Sequence, residues 1–269
     1  RDYNLVDSAL ATNGGNLTYL NQSAISGTFT SQDIEGRPRV YYKTIDMGAY
    51  ENQTAKDSTI TSVGGRSVSM TVTTARDVVN PSDGVTSLRE ALTMATRLVE
   101  RGYTDIRIYS SDYHIHVDPA LGPLTISVPV TINGYGMTVD SDNSSSGFIV
   151  DADGKVTLNN VVVTNGVGVV GAGIKLNRGE LVLNNCLIYD CEAVAQGGAV
   201  YASPGTTLEL RNTTVAKNVA VNGCGVYGAD GSTIKLYNSI LARNRSSVAG
   251  QNETDLRAEG DVSIFYSLI

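Results

Sequence analysis

Tryptophan is absent from the 269 residues, phenylalanine occurs three times, and histidine twice. Cysteine is scarce too: Cys186, Cys191 and Cys224. An odd number gives no disulfide framework, and no CxxC or Cys/His spacing suggests zinc. The three read as small buried filler. Charge is low at 17%, with 20 Lys and Arg against 27 Asp and Glu, a net charge of −7. That balance argues against nucleic acid, which needs clustered cations, and leaves a neutral glycan open. No apolar run is long enough to span a membrane. The opening Arg1-Asp2-Tyr3-Asn4 lacks the charged-then-apolar pattern of a signal peptide.

What the chain has is a repeat. Four ten-residue blocks superimpose without a gap: TLNNVVVTNG (157–166), VLNNCLIYDC (182–191), ELRNTTVAKN (209–218) and KLYNSILARN (235–244). Their starts are 25, 27 and 26 residues apart. Column two is always leucine (Leu158, Leu183, Leu210, Leu236). Column four is always asparagine (Asn160, Asn185, Asn212, Asn238). Between blocks a glycine phrase recurs as GAGI, GGAV and GCGV. A fixed period in the twenties marks a repeat architecture. Short β-branched runs bounded by Asn and Gly make its units strands rather than helices. About 25 residues with three short strands is one coil of a parallel β-helix. The predicted fold is therefore all-β: a right-handed, single-stranded, pectate-lyase-like parallel β-helix. Stacked coils place each leucine on the next at about 4.8 Å, forming an inward ladder. The asparagines fall at a bend that tolerates left-handed backbone, and the glycines where a Cβ has no room.

In chain order, residues 1–52 are rich in turn residues and 53–67 read as a polar connector. The β-helix unit is expected over 68–269, starting with alternating Val68, Met70 and Val72. One helix is predicted, over about 87–101. Ser87 is its N-cap, Glu90 completes a capping box, and Gly102 sits at the C-terminal left-handed position. Capping and surface pairing account for Arg89 and Glu90. The helix is expected to plug the first coil. Strands are expected at 105–109, 114–117, 124–127, 130–134, 137–140, 147–150 and 261–269, with a polar loop over 245–260.

Two phrases resemble known families. GRPRV (36–40) followed by TIDMGAYE (44–51) is similar to the choice-of-anchor module that ends many bacterial β-helix surface proteins. DGVTSLREAL (83–92), with GPLTIS and TINGYG downstream, resembles the SLREA-type N-terminal segment of bacterial β-helix adhesins. That family usually carries cysteine where Thr86 stands here. The GGAV and apolar-x-x-Asn phrases resemble those of polymorphic outer-membrane adhesins. The resemblance implies a fragment of a large, repetitive, exported bacterial protein, secreted or held at the cell surface. It also implies that residues 1–52 belong at the end of a β-helix, docking on this one or on a neighbour.

Many β-helix enzymes cleave acidic polysaccharides, so the alternative is a polysaccharide lyase or glycoside hydrolase. Hydrolysis needs two placed carboxylates and lyase chemistry a base with a cation. Asp140, Asp142, Asp151, Asp153 and Asp190 are available, and VDSDN and VDADG read as turn carboxylates. No acid repeats in one column across coils, and no polygalacturonase-like phrase occurs. No catalytic residue, cofactor or metal is therefore predicted. His114, His116 and Asp112 are the candidates for a cation, but alternate residues of one strand project in parallel rather than converging. The expectation is a non-catalytic adhesin- or stalk-like module whose partner is a host or environmental glycan or a surface protein. Tyr201, Tyr227 and Tyr237 are the candidate ligand residues, with a structural tyrosine ladder as the competing reading.

Overall fold

The computed structural model describes residues 66–249 and 254–269. The chain divides into two compact units, 1–66 and 67–269. The anchor-like tail over 1–52, its docking, and all but the end of the 53–67 connector lie outside the described residues.

The helix, α1, spans Leu88–Glu100. Both halves of the capping box form: Ser87 Oγ accepts from the Glu90 N–H, and the Glu90 carboxylate accepts from the Ser87 N–H. The second Glu90 oxygen reaches the N–H of Asn80, which ties the preceding turn to the helix start. Leu88, Ala91, Leu92, Ala95 and Leu98 form the buried stripe, at the 3.6-residue spacing of one helix face. Gly102 ends the helix with φ +83°. Arg89 departs from the expected surface pairing. It forms a two-pronged salt bridge with the buried Asp77 and donates to the carbonyls of Leu121, Gly122 and Pro123. The helix is thereby fastened to the coil beneath it.

From there the chain winds about six turns of a right-handed-type parallel β-solenoid. Three long faces are made by parallel pairing of strands from successive coils. The first face runs from Tyr103–Tyr109 to Asp261–Phe265, the second starts at His114–His116, and the third runs from Leu124–Ile126 to Leu256–Ala258. A short fourth sheet joins Val167–Val170, Glu192–Gln196, Val219–Ala220 and Arg245–Ser246. The leucine column stacks in register, Leu158 on Leu183 on Leu210 on Leu236, each fully buried. Ile188, Val215 and Leu241 do the same on the second face.

Two expectations change. The stretch 130–140 is one continuous strand, Val130–Asp140, and Phe148–Thr164 likewise runs through a bend. The region after Asn244 is not all loop. Arg245–Ser246 and Leu256–Ala258 both pair onto the preceding coil. Their polar sequences hid them, because short strands of an outer coil are fixed by pairing with the coil before rather than by their own pattern.

The bends explain the repeat columns. Asn160, Asn185, Asn212 and Asn238 all have φ near +50°. In the glycine phrase the two glycines differ in role. Gly197 turns the chain with φ +62°, whereas a Cβ on Gly198 would lie 2.3 Å from the Cys224 carbonyl oxygen. Polar ladders run inside the bends as well. The N–H of Cys186 donates to Thr213 Oγ1, that of Thr213 to Ser239 Oγ, and that of Ser239 to Ser267 Oγ. At the next bend the N–H groups of Cys191, Asn218 and Asn244 donate to Asn218, Asn244 and Asp255 side-chain oxygens in turn. Each coil thus satisfies a backbone donor of the coil before it, as buried amides require.

Candidate functional site

The left-handed bend between the first and second faces opens a groove of about 530 Å³ on the outside of the solenoid. Tyr135, Gly136, Asn160, Val162, Asn185 and Leu187 line it, with Asn212 and the edge of Cys186. Left-handed backbone at each asparagine turns its side chain outward, so all four repeat asparagines are exposed. Their main-chain N–H groups continue the coil pairing: Asn185 donates to Arg211, Asn212 to Tyr237, and Asn238 to Phe265. The amides of Asn160, Asn185 and Asn212 form no side-chain hydrogen bond among the described residues. The row one residue earlier behaves differently. Asn184 Nδ2 donates to Asn159 Oδ1 at 2.8 Å, and Asn159 Nδ2 to Asn133 Oδ1 at 2.9 Å. The ladder of bonded side-chain amides therefore runs one residue before column four, and column four is left free for solvent or a ligand.

Tyr135 stands at one end of the groove, 61% exposed and also left-handed, with φ +54°. Its ring stacks loosely on Tyr109, centroids 6.5 Å apart. The groove therefore offers an aromatic ring, two aliphatic side chains and a row of amides, with no charged residue in its lining. Amides both donate and accept, as sugar hydroxyls do. Rings and aliphatic side chains suit the C–H faces of a sugar.

The tyrosines singled out from the sequence lie elsewhere. Tyr201 and Tyr227 pair across coils on the third face, rings 5.6 Å apart and 3° from parallel. Tyr227 is only 3% exposed and its hydroxyl donates to Glu259. Burial, then the Glu259 carboxylate, push its pKa up to about 12. Tyr237 sits on the first face, stacked on Phe265 at 5.0 Å with the Arg211 guanidinium 5.5 Å from its ring centre. The three do not form one platform.

The acidic candidates are held by neighbours. Asp151 and Asp153 both bind Arg178 from the following coil. Asp190 occupies a left-handed bend. Asp140 is buried; its Oδ1 accepts from the N–H of Asp142 and from Asn165 Nδ2. Burial opposes its charge, but these two donors and His114 outweigh it and hold the carboxyl below the usual range. Asp140 also replaces Asp112 as the carboxylate beside the two histidines. Asp112 precedes the strand His114–His116, and Asp118 caps its own turn at the Ala120 N–H.

Residues 135–262 match the family described as the right handed beta helix region. The match covers just under half of the chain and agrees with its parallel β-solenoid fold. The match begins at Tyr135, where the groove begins, and covers every repeat asparagine. No curated protein and no solved structure matches this β-helix. No helix among the described residues is long and apolar enough to cross a membrane.

Two features escaped the sequence reading. One was Tyr135: Thr131, Ile132 and Asn133 pair with Thr157, Leu158 and Asn159, the register then shifts before Met137 meets Val161, and Tyr135 is left in the bend opposite Asn160. The other was the placement of Asp140, read as a turn carboxylate, beside the histidines: it lies one coil away and is joined to them only by the pairing of His116 with Asp140.

Proposed function

We propose that this chain is a non-catalytic module of a large exported bacterial protein, adhesin- or stalk-like, which binds an uncharged stretch of glycan along the groove from Tyr135 to Asn212. The observation that carries the reading is the row of exposed, unpartnered amides at Asn160, Asn185 and Asn212, continuous with an exposed tyrosine. Their spacing is the coil repeat of about 4.8 Å, close to the length of one sugar ring, so successive coils meet successive residues of an extended chain. The groove is open and lacks charge, which suits weak, repeated contacts rather than a deep specificity pocket. The groove has no carboxylate in its lining, and Asp151 and Asp153, at a different bend, are engaged by Arg178, which supports a binding rather than a hydrolytic role. The stiff, coil-on-coil hydrogen bonding suits display away from a surface.

A glycan array tests the reading. The informative variant is Asn160→Gly/Asn185→Gly/Asn212→Gly, because glycine keeps the left-handed backbone while removing the amides. Binding by the native chain that the triple variant loses, with circular dichroism unchanged, supports the groove. Binding that survives in the variant, or that is lost only with Tyr201→Ala, places the ligand elsewhere.

A further inference from the structure

We propose that His114, His116 and Asp140 form a binding site for a divalent transition-metal ion of the zinc, nickel or copper type, bridging two successive coils near the helix-capped end. One ligand atom from each of the three lies within 4.8 Å of the others. The histidines occupy alternate positions of one strand, and Asp140 pairs with His116 on the strand above. A single strand presents its side chains in parallel; the second coil supplies the convergence that one strand lacks.

Three details mark the arrangement as built. First, Asp140 is fixed in place. Its Oδ1 is occupied by the Asp142 N–H and Asn165 Nδ2, and its Oδ2 points to His114. Second, His114 Nε2 lies 3.1 Å from that Oδ2. Two ligands sharing a tetrahedral metal, each bonded at about 2.0 Å, stand roughly 3.3 Å apart, so this pair needs little movement. Third, His116 Nδ1 meets Asp142 Oδ2 at 2.8 Å. A carboxylate on one ring nitrogen fixes the tautomer and directs the other nitrogen outward, as at established metal sites. The two rings already stack, centroids 4.6 Å apart, and both side chains are more than half exposed. His116 can therefore swing the remaining distance while Asp140 stays still.

Two imidazoles and one carboxylate favour zinc, nickel or copper over calcium or magnesium, which require oxygen-rich shells. Three protein ligands leave at least one position for water or for a donor from another molecule.

Titration calorimetry on the full, untagged chain with nickel chloride tests the site. One equivalent is expected to bind, with affinity reduced at least tenfold in His116→Ala and in Asp140→Asn, and unchanged in Asp112→Asn. Copper paramagnetic resonance should show coupling to two nitrogens in the native chain and to one in His114→Ala. Because Asp140 is buried, circular dichroism must confirm that Asp140→Asn is folded. If it is not, the two exposed histidine variants decide. No nickel binding, binding that persists in His114→Ala/His116→Ala, or calcium binding of equal strength at these residues would overturn the assignment.

Discussion

The guanidinium of Arg89 grips the carboxylate of Asp77 with two hydrogen bonds, Nε to Oδ1 at 2.8 Å and Nη2 to Oδ2 at 2.6 Å, and Asp77 is buried. The same Asp77 oxygen accepts from the Asp118 N–H, while Arg89 also holds three carbonyls of the turn at 121–123. One ion pair thus locks the capping helix, the turn before it and the first coil together. Its energetic weight lies in what is left behind when one partner goes.

Arg89→Met should therefore cost about 3–5 kcal/mol, because it strands a buried carboxylate and frees three carbonyls. Arg89→Lys should recover only part of that, since an ammonium cannot make the paired contact. Urea unfolding monitored by circular dichroism measures both, and a loss below about 1 kcal/mol for Arg89→Met would show that the pair is ornamental.

The two kinds of asparagine should respond oppositely to glycine. Asn185 is exposed and left-handed, so Asn185→Gly should change stability little, whereas Asn185→Ala should cost about 1–2 kcal/mol in backbone strain. Asn218 is buried and its Oδ1 satisfies the Cys191 N–H, so Asn218→Gly should cost more than Asn185→Gly by about 1–3 kcal/mol. Denaturation midpoints of the three variants check the order.

Cys186 and Cys191 should resist alkylation in the folded protein and react once it unfolds. Burial pushes their thiols up from an ordinary value of 9.0 to about 11 and about 12. The thiolate is the reactive form, so both are shielded chemically as well as sterically. Mass spectrometry after iodoacetamide treatment at pH 8, with and without denaturant, shows whether the native chain is labelled at these positions.

The same shifts give a pH dependence. A folded-state pKa above the unfolded one means that the native state holds its proton longer, so this stability is complete below pH 9 and is lost as pH rises through about 11 to 12. Tyr227, raised from 10.0 to about 12, adds to the same alkaline limb. Cys191→Ala should flatten that limb; an unchanged slope between pH 9 and 12 would count against thiol burial as its cause.

Much of the solenoid was legible in the sequence because its inward positions repeat. Leu158, Leu183, Leu210 and Leu236 announced the stack, and Ser87 with Glu90 announced the helix start. The candidate sites were less legible because they depend on relations between coils. Asp140 and His116 are 24 positions apart in the chain and neighbours only through strand register. The outward face of column four was hidden for another reason. Asparagine at a bend reads as backbone chemistry, and whether its amide is spent on a neighbour is settled by geometry: Asn184 donates to Asn159, while Asn185 beside it does not. Tyr201 and Tyr227 looked alike as candidates, yet the coil order buries one of them against Glu259.

The most direct measurement is nuclear magnetic resonance of the asparagine side-chain amides during titration with a glycan that the chain retains on an array. Glycan binding along the groove predicts shifts of the Asn160, Asn185 and Asn212 amides, with those of Asn218 and Asn244 unmoved. Retention of a glycan with no change at those three amides, or cleavage of the glycan during the titration, would contradict it.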